Sequence, residues 1–178
     1  MARKASAAPV PLQQPRSPWI IGRLAKPSFS EFINPSLVTK PPLGPKWAHE
    51  IKWDGYRAQA HIRGKRGQMF TRRGIDWTGK FGPISEALPK LRVDSAILDG
   101  EVVTLGKDGV SDFHALRHQL GTMLPDIVFQ AFDLLWLDGE DLRPLLYVER
   151  KARLKDILRR GGEMIRYVDY VEGVARPC

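Results

Sequence analysis

The run Glu50-Ile51-Lys52-Trp53-Asp54-Gly55-Tyr56-Arg57 sets a lysine two positions from a carboxylate on either side, with an arginine close behind. In an extended strand Glu50, Lys52 and Asp54 share one face, and Ile51 and Trp53 point into the core. A lysine can act as a nucleophile only as the neutral amine, whereas flanking carboxylates favour its charged form. Activation therefore has to come from desolvation, from neighbouring cations or from a metal that offsets the carboxylates. On residue types alone, a surface salt-bridge ladder along a strand stays open as the alternative. Asp99 and Glu101 also fall on one face at i and i+2, and their plain reading is solvated acids at a turn or bulge around Gly100. His114 and His118 stand at i and i+4 on a helical pattern. Ala115 follows the first of them where a zinc protease needs glutamate, so both read as surface histidines. The turn Arg63-Gly64-Lys65-Arg66-Gly67 is either a solvated hairpin tip or a set of phosphate contacts.

These groups lie in a chain of 178 residues with 28 Lys+Arg against 20 Asp+Glu, a net charge of +8, which favours polyanionic partners. No apolar run approaches the roughly 20 residues of a spanning helix, so a membrane protein is not expected. The single cysteine, Cys178, excludes an internal disulfide framework and a thiolate metal cluster, and reducing, cytoplasmic surroundings are the default. Nine of the 14 prolines fall in the first 45 residues, where they oppose helix and central strand. Residues 1–27 are expected to form a proline-rich disordered leader. The domain is expected over 28–173, approached through Phe29, Phe32, Ile33 and Leu37, with 174–178 as a tail.

From Trp47 onward, alternation predicts an antiparallel meander of strands over 47–53, 56–63 and 68–72. Further elements are a short helix over 84–91, a strand over 96–105 interrupted at Asp99-Gly100, and a helix over 112–120 with Asp112 as N-cap. A long apolar strand over 127–137 ends in a turn at Asp138-Gly139. A charged helix over 149–160 has Leu154, Ile157 and Leu158 as its apolar stripe and stops at Gly161-Gly162. This unperiodic order of strands and helices predicts an α+β fold.

Lys52-Trp53-Asp54-Gly55-Tyr56-Arg57 resembles motif I of the covalent nucleotidyltransferases, which comprise ATP-dependent DNA ligases, RNA ligases and capping enzymes. Other segments follow in register. Thr71-Arg72-Arg73-Gly74 resembles motif Ia, Leu98-Asp99-Gly100-Glu101 the Leu-Asp-Gly-Glu element, and Phe129 to Gly139 motif III. Asp141-Leu142-Arg143 and Glu149-Arg150-Lys151 resemble the stretch that follows motif III in bacterial ATP-dependent DNA ligases, with wording nearest the ligase D type of end-joining ligase. The resemblance implies an ATP-grasp-like adenylation domain in which antiparallel sheets flanked by helices hold ATP between them. It implies that Lys52 attacks the α-phosphate to give lysyl-AMP. By the same resemblance Glu50 would lie beside adenine, Asp54 would orient the lysine, Arg57 would meet the ribose and Arg72 a phosphate. Phe132, otherwise one more core aromatic, would stack on adenine in the same family pattern. The resemblance also places Glu101 near the ribose hydroxyls and the metal, for which magnesium is the natural ion. The implied partners are nicked double-stranded DNA and other end-joining or repair proteins.

The chain departs from the pattern at Arg73, where asparagine is usual, and at Arg143-Pro144-Leu145-Leu146. Glu172-Gly173 is read as the strand before motif IV rather than motif IV itself. A C-terminally truncated domain is therefore expected, without motifs IV, V and VI or an OB-fold, and with slow adenylation and no nick sealing. The alternatives are an inactive DNA-binding remnant and an RNA ligase or capping-type enzyme. Asp141-Leu142-Arg143 and Ser111-Asp112-Phe113 favour the DNA ligase branch.

Overall fold

Two sheets organise the chain in a computed structural model, which describes residues 9–11, 36, 38–40, 42, 44–120, 122, 126–159 and 162–173. The larger is built from β3 (Tyr56–Arg63), β4 (Arg66–Thr71), β5 (Ser95–Val103), β6 (Val128–Leu137) and β7 (Glu140–Asp141) in the order β4-β3-β5-β6-β7. A further strand, β8 (Ile165–Tyr167), pairs with β6 in parallel. The smaller sheet has β2 (Trp47–Glu50) between β1 (Pro9–Pro11) and β9 (Tyr170–Glu172). Proline cannot donate to a ladder, and β1 accordingly takes an edge position. Phe29, Phe32, Ile33 and Leu37, expected to anchor the approach, lie outside the described residues, as do the leader other than residues 9–11 and the tail from 174.

Helices α1 (Gly82–Ala87), α2 (Phe113–Gln119) and α3 (Tyr147–Leu158) flank these sheets, giving the expected α+β architecture. The helix expected over 84–91 is α1 followed by a 3-10 turn over Leu88–Leu91, where Pro89 breaks the α-helical pattern. Asp112 does cap α2, its Oδ1 accepting the Ala115 N–H at 3.0 Å. The Asp138-Gly139 turn has positive φ at both residues (44° and 94°), as a two-residue hairpin between β6 and β7 requires.

One face of the larger sheet is the apolar core. Ala58, Ala60 and Ile62 of β3, Leu98 and Val102 of β5, and Phe129, Ala131 and Leu134 of β6 all point there and are fully buried. Alternation sends Arg57, Gln59 and His61, Asp99 and Glu101, and Gln130 to the opposite face, which is polar yet largely covered.

The expected meander is corrected at its first strand. β2 ends at Glu50 and belongs to the smaller sheet, so residues 51–55 cross from one sheet to the other and join neither ladder. Ile51, expected in the core, is 61% exposed there. The interruption expected within β5 is also relocated. β5 is continuous, and the irregularities are extra residues on β6, where Asp99↔Asp133 is followed by Gly100↔Ala131 and Phe132 is left over as a bulge.

Gly55 and Gly100 are required by packing. A Cβ on Gly55 would lie 2.1 Å from the Val102 carbonyl oxygen, and one on Gly100 would lie 2.5 Å from the Phe129 ring and 2.6 Å from the Gln130 carbonyl oxygen. Gly55→Ala and Gly100→Ala are each expected to cost about 1–3 kcal/mol, read as a lower urea midpoint. An unchanged midpoint in both would mean that the strands separate freely.

Candidate active site

The crossing segment 51–55 presents Lys52 and Asp54 to solvent at one end of the polar face. Contacts to Ser111 and to β5 hold it. The Asp54 N–H donates to Ser111 Oγ at 3.1 Å, and Gly55 rests against the backbone of β5. Lys52 makes no ion pair with any described residue. The shared strand face expected for Glu50, Lys52 and Asp54 is not formed, because the strand stops at Glu50. Glu50 instead turns inward to Lys151 of α3, with Nζ to Oε1 at 2.7 Å. One of the two carboxylates that flank Lys52 in the sequence is thus paired with another cation instead.

Arg57 lies opposite Glu101 in the ladder, and its guanidinium reaches diagonally to Asp99. The pair is bidentate, Nε to Oδ1 at 3.2 Å and Nη2 to Oδ2 at 2.8 Å. The same guanidinium stands 5.5 Å from the centre of the Phe132 ring. The bulge accounts for this contact. It shifts the register of β6 by one residue and so re-aims an aromatic from an apolar strand onto the polar face, where it is half-buried beside Arg57. Glu50, Lys52, Asp54, Arg57, Glu101 and Phe132 therefore come from β2, the crossing and the polar face of β3, β5 and β6. Arg72 is exposed on the turn after β4, within the loop closed by the Gly74 N–H donating to the Thr71 carbonyl at 2.7 Å.

Burial raises the carboxyls of this face. Asp99 is pushed up to about 6, against the pull of its hydrogen bonds to Arg57. Glu101 is pushed up to about 7, again mainly by burial. Arg57 lowers it, and the charges of Asp99 and Asp54 raise it further. Asp99 and Glu101 are thus held above their ordinary range on a face short of positive charge. Because both groups bind protons more tightly folded than unfolded, the stability they contribute is complete below pH 4 and is lost as pH rises through about 6 and 7. The cost amounts to about 2–3 kcal/mol apiece. Urea midpoints are expected to fall between pH 5 and 8, and Glu101→Gln to flatten the slope. A midpoint that rises over this range would contradict the assignment.

Sequence reasoning assigned no site role to two residues that hold this region together. Arg150 of α3 is buried and pairs with Asp133 through Nε at 2.8 Å and Nη2 at 2.9 Å, and its Nη1 donates to the Leu145 carbonyl at 2.8 Å. Lys151 is buried beside it. Burial pushes Lys151 down and Glu50 up, although each partner opposes the other's shift. Their signal lay in the helix period: Tyr147, Arg150, Lys151, Leu154 and Leu158 form one inward stripe at i, i+3, i+4, i+7 and i+11. His114 and His118 are exposed, and no group of three or more metal-ligating side chains occurs among the described residues. No helix is long and apolar enough to cross a membrane among those residues.

Comparison with known proteins places this arrangement. The chain is 39% identical over 137 residues to the multifunctional non-homologous end joining protein LigD of Pseudomonas aeruginosa, which covers 75% of this chain and 16% of that protein. It is 34% identical over 128 residues to the DNA ligase of Pyrobaculum calidifontis, covering 65% of this chain and 21% of that one. Among solved structures it resembles the ligase domain of LigD from M. tuberculosis, with a TM-score of 0.65 and 29% identity over 74% of this chain and 42% of that one. A mycobacterial DNA ligase D complexed with ATP and MES gives a TM-score of 0.64 at 28% identity, again over 74% and 42%. The chain thus spans less than half the length of each of these proteins. The ATP dependent DNA ligase domain matches residues 33–174, most of the chain, and the chain belongs to that family.

Proposed function

We propose that this chain carries the nucleotide-charging chemistry of an ATP-dependent DNA ligase, with Lys52 as the nucleophile. The observation that supports it is the crossing segment. It leaves Lys52 exposed at the edge of the polar face that gathers Arg57, Glu101 and Phe132, while Glu50 is neutralised by Lys151. Lys52 Nζ, as the free amine, forms a bond to the α-phosphorus of ATP. The bond from that phosphorus to the bridging oxygen of pyrophosphate breaks, and the lysine proton is released, leaving lysyl-AMP. Asp54, two residues on, orients the amine. Phe132 and Glu50 bind the base, Arg57 the ribose and Arg72 a phosphate.

Glu101, with Asp99 behind it, fits magnesium, which when bound supplies positive charge to the phosphates. In the reaction that follows, the adenylate is passed to the 5′-phosphate of nicked double-stranded DNA, for which the exposed Arg63, Lys65 and Arg66 of the β3–β4 turn offer backbone contacts. Other end-joining or repair proteins are the further partners of this reading, and the cytoplasm of a bacterium its setting. Incubation with ATP labelled at the α-phosphate, with and without magnesium, tests the reading. Covalent label that accumulates only with the metal supports it, and ATP binding that never yields a covalent product opposes it.

A further inference from the structure

The ammonium of Lys151 spends its three protons on three separate parts of the chain. It donates to Glu50 Oε1 of β2 at 2.7 Å, to the Phe132 carbonyl of β6 at 3.1 Å and to the Val168 carbonyl in the connection from β8 to β9. The Phe132 carbonyl is available because the outer edge of β6 is only partly paired. β8 covers Phe129–Ala131 and β7 covers Trp136–Leu137, so Phe132 falls in the gap. Lys151 is 1% exposed, the Glu50 side chain is 12% exposed, and the Tyr167 ring closes over the ammonium at 4.4 Å.

Anchoring α3 does not explain this arrangement. Arg150 already ties the helix to Asp133 and to the Leu145 carbonyl, and Leu154 and Leu158 enter the core. An apolar side chain of similar length would fill the space of Lys151 without burying charge. What the ammonium does, and an apolar chain could not, is fix Glu50 and Phe132 relative to each other across the two sheets. Both are residues to which the proposed function gives the base of the nucleotide.

We infer that Lys151 is a positioning residue for nucleotide recognition, setting the separation of the Glu50 carboxylate and the Phe132 ring. The inference rests on the nucleotide-site reading above. It assigns Lys151 no contact with substrate. A carboxylate held against position 6 of the base accepts a hydrogen bond from the 6-amino group of adenine and repels the 6-carbonyl of guanine, so a Glu50 fixed there prefers adenine.

Calorimetric titration of the full chain with ATP and with GTP tests this, alongside urea denaturation of each variant. Lys151→Met is expected to bind ATP about tenfold more weakly and to narrow the preference for ATP over GTP. Lys151→Arg keeps the charge on Glu50 but cannot place donors on both carbonyls. It is expected to weaken ATP binding severalfold and to retain the preference. A purely structural lysine would lower the urea midpoint and leave the ATP-to-GTP ratio untouched, and that result overturns the inference. Should Lys151→Met fail to fold, wild-type ATP affinity in Lys151→Arg would overturn it. Absence of ATP binding by the wild-type chain would instead overturn the nucleotide-site reading, and the role of Lys151 with it.

Discussion

Lys52→Ala is expected to eliminate covalent attachment of AMP while leaving the fold and non-covalent ATP binding nearly intact. The lysine is exposed on the crossing between the sheets and makes no ion pair with a described residue, so its removal neither opens a cavity nor strands a buried charge. Its amine is the atom that forms the bond, and no rearrangement of neighbours can replace it. Lys52→Arg is expected to be as inactive, because a guanidinium is protonated at any pH the fold survives. Labelled product, urea midpoint and ATP affinity measured on one preparation separate these effects. Residual labelling at the wild-type rate in either variant would move the nucleophile elsewhere.

Arg150→Met is expected to cost about 3–5 kcal/mol, the largest loss of stability among single substitutions at the site. Its guanidinium is buried and saturates both oxygens of Asp133, which is itself 8% exposed and otherwise accepts the Leu134 N–H at 2.8 Å. Removing the cation leaves a buried carboxylate without the guanidinium that saturates it. The Asp133→Leu and Arg150→Met pair is expected to recover most of the loss, since neither charge is then desolvated. ATP affinity is expected to fall with the single change, because Asp133 adjoins the bulge residue Phe132. Chemical denaturation of both single variants and the pair gives the coupling, and a cost below about 1 kcal/mol for Arg150→Met would show the pair to be effectively solvated.

Much of this arrangement was legible in the residue pattern wherever local rules apply. The β3–β4 hairpin, the Asp112 cap and the Asp138-Gly139 turn follow from short-range chemistry that tertiary contacts do not override. What escaped depends on distant partners. Trp47–Trp53 alternates throughout, yet the strand stops at Glu50 because its partners are Pro9–Pro11 and Tyr170–Glu172 rather than β3, which no local signal reports. The bulge at Phe132 lies in a run so apolar that an extra residue leaves no break in alternation. Arg150 and Lys151 were missed because an inward stripe was sought among apolar residues, and here two cations occupy it to meet Asp133 and Glu50. The site residues themselves came from motif resemblance. Spacing alone left Lys52 in a salt-bridge ladder, and the fold removes that ladder by turning Glu50 toward α3.

The most direct test is to incubate the chain with ATP and magnesium, digest it under neutral conditions that preserve a phosphoramidate, and locate the AMP by tandem mass spectrometry. The expected result is a single adduct on Lys52, absent when magnesium is chelated. An adduct on any other residue, or nucleotide bound without any adduct, would show that Lys52 is not the nucleophile.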